Sequence, residues 1–157
     1  MTQNNATRLL EAKAVHFQVH EVPAVKLSAL DISSLLSVSP DRVFKTIVVK
    51  RVAGKSILAL VPGNCEVNLK LLAKIVDEKK LTIASQDEAE RLTSLKTGGI
   101  SPLLLINKGF TIVIDEACHQ HEDIIISGGQ RGLMISLQPN DLIRLTSARV
   151  GKICQTI

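Results

Sequence analysis

The chain has 157 residues, 45% of them hydrophobic and 22% charged, which is enough for a sizeable core and excludes a disordered chain. Aromatics make up only 2%, three Phe with no Tyr or Trp, so the core is built from Leu, Ile, Val and Ala. The stacking platforms of RRM-type or OB-type single-strand binders are therefore missing. A formal charge of +4 is compatible with contact to RNA phosphates without demanding it.

Cys65, Cys118 and Cys154 are odd in number and far apart, the pattern of reduced thiols rather than of a disulfide framework. The N-terminal pentapeptide Met1-Thr2-Gln3-Asn4-Asn5 is polar and is followed by no apolar h-region, so no signal peptide is expected. No apolar run approaches the ~20 residues that span a bilayer. A cytoplasmic protein without membrane or DNA partners is the expectation.

In chain order, Thr7 to Ala14 predicts a short amphipathic helix, and the alternation of His16-Phe17-Gln18-Val19-His20 predicts a strand ended by Pro23. Ser28 with Asp31 forms a capping-box pattern that opens a helix to about Leu36. Ser39-Pro40-Asp41 is turn chemistry. Val43 to Val49 is rich in β-branched residues and reads as a buried strand. Ala53-Gly54-Lys55 turns it back into Ser56 to Val61 as a hairpin, and Pro62-Gly63-Asn64 breaks the run.

Asn68 caps a helix from Leu69 to Val76, Leu81-Thr82-Ile83 is a short strand, and Ser85 with Glu88 opens a helix to about Leu92. Leu103 to Ile106 and Phe110 to Asp115 read as strands around the turn Asn107-Lys108-Gly109. Ile124 to Ile126 and Leu133 to Leu137 pair next, Pro139 starts a helix to Leu145, and Val150 to Ile153 is a last edge strand. The order predicts a single α+β domain over residues 1–157, with one mixed, strongly curved sheet and helices packed outside.

Lys45 stands at the start of a buried strand, where an ammonium needs water, a partner or a ligand. On this stretch alone a lysine snorkelling at the strand's edge is the favoured reading. Two further stretches, Gly98-Gly99-Ile100-Ser101-Pro102 and Ser127-Gly128-Gly129-Gln130-Arg131-Gly132, carry paired glycines that let a backbone approach a ligand. For a bare Gly-Gly pair a tight turn is the better reading. Neither is a P-loop or a dinucleotide fingerprint.

Taken in order, Phe44-Lys45-Thr46, the G-x-x-x-P of Gly98 to Pro102, and Ser127 to Leu133 resemble the YbaK/ProX family of aminoacyl-tRNA deacylases. That family is related to the editing insertion of bacterial prolyl-tRNA synthetases. The likeness covers nearly the whole chain and sides with the YbaK branch, whose members remove cysteine mischarged onto proline tRNA. Other branches remove alanine or other small residues.

The resemblance implies a partly barrel-like sheet surrounded by helices and a hydrolase needing no cofactor and no metal. Its implied partners are mischarged tRNA, above all tRNA(Pro), and prolyl-tRNA synthetase as presenter of the substrate. It assigns catalysis to Lys45 and Gly98, and substrate binding to Thr46, Gly99, Ile100, Ser101, Pro102, Ser127, Gly128, Gly129 and Arg131. Lys45, cationic at its ordinary pKa near ~10.4, suits holding ester or phosphate oxygens better than acting as a base. Thr46 and Ser127 are placed to hydrogen-bond substrate amino or hydroxyl groups, and Arg131 to meet the terminal phosphate.

Four positions depart from the branch: Val22 stands for a tyrosine, Leu95 lies in Thr93-Ser94-Leu95 where Thr-Gly-Tyr is usual, Leu104 replaces a glycine, and Met134 replaces a small polar residue. They bear on which amino acid is admitted more than on reaction class. A non-catalytic module gripping tRNA ends or a synthetase is the alternative that they motivate. Cys118-His119-Gln120-His121 lacks the paired ligands of structural zinc, and Cys65 reads as a small hydrophobe at a helix entrance rather than a nucleophile.

Overall fold

Helices start where the sequence supplies a cap. The computed structural model describes residues 3–157; Met1 and Thr2, the first of the polar N-terminal residues, lie outside them. Asn4 caps α1 (Asn5–Ala12), accepting from the Thr7 N–H. The helix therefore opens two residues earlier than its apolar spacing predicts. Ser28 and Asp31 close a reciprocal capping box on α2 (Ala29–Leu36), and Ser85 and Glu88 do so on α4 (Gln86–Thr93). Asn68 accepts from the Leu71 N–H to start α3 (Leu69–Val76), and Pro139 stands in the first turn of α5 (Pro139–Thr146).

The strands are β1 (Phe17–Glu21), β2 (Phe44–Arg51), β3 (Ile57–Pro62), β4 (Cys65–Val67), β5 (Leu81–Ile83), β6 (Thr111–Asp115), β7 (Ile124–Ser127), β8 (Leu133–Leu137), β9 (Arg149–Gly151) and β10 (Cys154–Thr156). They form an α+β fold, but the expected single curved sheet is divided. A five-stranded mixed sheet has the order β5-β2-β3-β6-β9, a three-stranded antiparallel sheet the order β1-β8-β7, and β10 pairs with β4. A parallel bridge from Val43 to Ile125 joins the two larger sheets, and no closed barrel forms among the described residues.

β3 is buried at every position. It pairs antiparallel with β2, with Val48 opposite Leu58, and parallel with β6, with Leu60 opposite Ile114. Because side chains alternate, the two faces of this sheet serve two cores. Phe44, Val48, Leu58, Leu60, Ile112 and Ile114 pack with α1, α5 and the three-stranded sheet. Val49, Ile57, Ala59, Val61 and Val113 pack against α3 and the β4–β10 pair.

Two local expectations are corrected. Leu103 to Ile106 is not a strand: Pro102 to Leu104 form a 3-10 turn, because Pro102 fixes its φ and Ser101 Oγ accepts from the Leu103 N–H. The last edge strand is two short strands, β9 and β10, on different sheets. Pro62-Gly63-Asn64 breaks the run as expected: β3 ends at Pro62 and Gly63-Asn64 form a turn, although the short strand β4 that follows is not predicted from the sequence.

Cys118 is fully buried in a 3-10 turn beside Asp115, and burial pushes its thiol up to about 11. Among the described residues no helix is long and apolar enough to cross a membrane, and no group of three or more His, Cys, Asp or Glu is placed to hold a metal ion.

Ile114, fully buried on β6, tests the shared core. Ile114→Val should cost about 1 kcal/mol and Ile114→Ala about 2–5 kcal/mol of unfolding free energy, read from urea midpoints at unchanged slope.

Candidate functional site

A cavity of about 310 Å3 opens where the start of β2 meets α2 and the two glycine-rich loops. That volume is at the small end for ligand pockets. Phe44, Lys45, Thr46 and Ile47 contribute one wall, Thr97, Gly98 and Ile100 a second, and Ser127, Gly132 and Met134 a third. Apart from Ser28 the side chains of the rest are apolar, with Val22, Ile32 and Val43 prominent. Lys45 is the one ionisable side chain among the described cavity-lining residues.

Lys45 sits opposite Val61 in the β2–β3 ladder, half-buried, and its Nζ donates to the Gly63 carbonyl at 3.3 Å. Burial holds its pKa below the ordinary lysine value, while nearby Cys65, Glu66 and Cys154 pull the other way. An ammonium has three donors. The one long bond to Gly63 leaves it capacity toward the cavity. Thr46 alternates to the other face of β2 but still lines the cavity, because the cavity wraps the start of the strand.

The two loops are locked to each other. Gly98 has φ +91°, a left-handed conformation suited to glycine. At Gly99 a Cβ would come within 2.9 Å of the Gln130 Cα, so the two backbones touch where only hydrogen fits. Ser127 Oγ donates to the Gly98 carbonyl at 3.3 Å and accepts from the Gly129 N–H at 3.2 Å. Arg131 Nε donates to the Thr97 carbonyl at 2.8 Å, and the Thr97 N–H donates to Glu90 Oε2 at 2.7 Å. Asn4 Nδ2 donates to the Gly128 carbonyl at 2.7 Å, tying α1's cap to the same loop.

Of the eleven residues singled out in the sequence, Lys45, Thr46, Gly98, Ile100 and Ser127 line the cavity. Ser101 and Pro102 are buried beneath it and shape the loop from below. Gly99, Gly129 and Arg131 sit in the contact between the two loop segments, whereas Gly128 packs on Leu133 of its own hairpin and its carbonyl accepts from Asn4. Thr97 and Gly63 were missed. No motif distinguishes them, and their place emerges only when the chain closes. Val22 and Met134 line the cavity, Leu104 lies under Gly129, and Leu95 packs on the main core.

A small, mostly apolar recess with one lysine and preset loop backbone fits a small side chain beside a polarised carbonyl. Residues 23–145 match the aminoacyl-tRNA editing domain family. The chain belongs to that family. It is an aminoacyl-tRNA deacylase, a hydrolase of the aminoacyl ester.

EbsC of Enterococcus faecalis, proposed by its name to be a Cys-tRNA(Pro)/Cys-tRNA(Cys) deacylase, is 32% identical over 153 residues, covering 96% of this deacylase and 93% of EbsC. The proline–tRNA ligase of Geobacillus thermodenitrificans is 29% identical over 87 residues, 55% of this chain but 15% of that enzyme.

Two crystal structures share the fold. One, of a hypothetical protein, has a TM-score of 0.89 at 20% identity, covering 97% of this chain and all (100%) of its own. The other, of a protein proposed as a trans-editing enzyme for prolyl-tRNA synthetase, has a TM-score of 0.79 at 23% identity, covering 99% of each chain.

The loop contact gives a direct test. Gly99→Ala places a methyl against backbone that cannot swing aside, so it should destabilise by about 1–3 kcal/mol and lower the deacylation rate. Thermal unfolding and deacylation read both effects, and an unchanged melting temperature would contradict the close approach.

Proposed function

We propose that this deacylase clears mischarged tRNA in trans and that cysteine on tRNA(Pro) is its preferred substrate. The observation that carries the reading is the single lysine in an otherwise neutral, largely apolar cavity of the editing-domain fold. The likeness to EbsC supports the cysteine and proline assignment. The stretch shared with proline–tRNA ligase supports prolyl-tRNA synthetase as the partner that hands over the substrate, in the compartment where translation runs.

Hydrolysis joins a water oxygen to the ester carbonyl carbon, gathers negative charge on the carbonyl oxygen, and then breaks the bond to the ribose oxygen, which leaves with a proton. Lys45 supplies a positive charge for the oxyanion. The Gly98 segment, preset by Ser127 and the Gly99–Gln130 contact, holds the ester or the water in line. Thr46 and Ile100 seat the aminoacyl group, and Gly99, Ser101, Pro102, Gly128, Gly129 and Arg131 act by holding the loops. With no His, Asp, Glu or Cys side chain among the described cavity-lining residues, proton transfer falls to water, a ribose hydroxyl or the substrate's own thiol.

Lys45→Ala should lower deacylation about 10²–10³-fold while leaving the melting temperature within a few degrees of wild type. Retention of the wild-type rate on every substrate would remove Lys45 from the mechanism. The pH sign follows from the direction of its shift. The cation is lost as pH rises through a folded-state value below 10.5, so enzymatic deacylation, corrected for spontaneous hydrolysis, should fall before that pH. A rate that rises through the same window would make neutral Lys45 the base.

On a panel of mischarged tRNAs, Cys-tRNA(Pro) should give the highest kcat/KM. Preference for Ala-tRNA(Pro) would move the specificity to another small residue, and tight binding without cleavage anywhere would favour a non-catalytic module.

A further inference from the structure

Lys45 is held by a neutral group. Among the described residues it forms no ion pair, and the acceptor that its Nζ reaches is the Gly63 carbonyl at 3.3 Å. The nearby Glu66 is engaged elsewhere, its Oε1 accepting from Gln155 Nε2 at 2.9 Å. A carboxylate bonded to Lys45 would cancel most of its charge and hold the ammonium away from a substrate. A carbonyl orients the ammonium and leaves the charge intact, with two N–H donors over for the cavity.

That carbonyl is itself fixed. Gly63 is buried and is the first residue beyond the β2–β3 ladder, which ends at the pair Phe44 and Pro62. Its N–H is shared between the Val43 carbonyl at 2.7 Å and the Pro40 carbonyl at 3.1 Å. The turn therefore closes on the start of β2 twice, once through Val43 and once through Lys45. A Cβ on Gly63 would lie 2.9 Å from the Ala29 Cβ, 3.0 Å from the Pro40 oxygen and 3.3 Å from the Val43 oxygen. Its φ is outside the left-handed region, so space rather than conformation demands glycine here. Ala29 opens α2 and Pro40 opens the 3-10 turn that leads into β2, so Gly63 is gripped by the segments on either side of the cavity wall.

Given the reading of Lys45 as the charge that meets the oxyanion, we propose that Gly63 is a positioning residue whose packed backbone aims the Lys45 ammonium at the ester carbonyl. A second effect follows from the same bond. A hydrogen bond to the ammonium favours the charged form, which offsets part of the burial that draws the Lys45 pKa down.

Gly63→Ala forces the carbonyl off its place. The Lys45 pKa, read from the 13C signal of its Cε during a pH titration, should fall below the wild-type value. The alkaline limb of the kcat profile should move to lower pH with it, and kcat at neutral pH should fall about 10-fold at unchanged KM. Removing the opposing methyl, in Ala29→Gly combined with Gly63→Ala, should return the pKa and kcat toward wild type. A further measurement needs no variant: wild-type protein labelled with 15N-lysine and 13C-carbonyl glycine should show a hydrogen-bond coupling between the Lys45 ammonium and the Gly63 carbonyl.

A folded Gly63→Ala protein with the wild-type Lys45 pKa, a loss confined to KM, or absence of the coupling in wild type would overturn the assignment. A lowered Lys45 pKa with unchanged kcat would instead overturn the reading of Lys45 as the catalytic charge.

Discussion

The structure depends on a strand that has no solvent face. β3 is buried along its whole length, so its neighbours must be β2 on one side and β6 on the other, and both faces must meet apolar layers. That requirement sets the register of β2 and hence the place of Lys45. One residue's slip would carry the lysine into the main core and turn Phe44 out of it. The lysine is tolerated because it lies at the strand's start, where the Gly63 carbonyl and the cavity relieve its desolvation.

The second organising feature is how the polar groups of the glycine-rich loops are distributed. Their carbonyls and hydroxyls bond mostly to one another, and Arg131 and Asn4 bind loop backbone rather than standing free. Such a network resists deformation when charge develops nearby, which is what preorganised electrostatic catalysis requires. It also concentrates reactivity, leaving Lys45 as the ionisable side chain among the described residues of the wall.

Much of this was readable before folding. Caps and turns are local, so Ser28, Asn68 and Ser85 marked their helices correctly, and the Gly54 turn announced the β2–β3 hairpin. The run Leu103 to Ile106 misled because an uninterrupted apolar stretch has no period to separate a strand from a buried turn. There Pro102 and Ser101 decided the matter. In the site, Lys45, Thr46, Gly98, Ile100 and Ser127 were legible as an ordered set. Gly63 and Thr97 were not, because their importance lies in contacts between segments far apart in sequence. Arg131 lies outside the cavity lining, and its Nε ties the two loops together through the Thr97 carbonyl.

The small apolar cluster under α2 has a consequence for how such an enzyme changes over evolutionary time. Ile32, Val43 and Met134 are cavity wall and hydrophobic core at once, packed with Ile125 and bordered by Val22 and Leu27. A substitution that enlarges the recess for a bulkier amino acid also removes contacts that hold α2 against the bridge between the two larger sheets. Drift in substrate preference is thereby coupled to loss of stability, so new selectivities should emerge from lineages with stability to spare. The same coupling penalises variants that would begin to cleave correctly charged tRNA bearing larger residues.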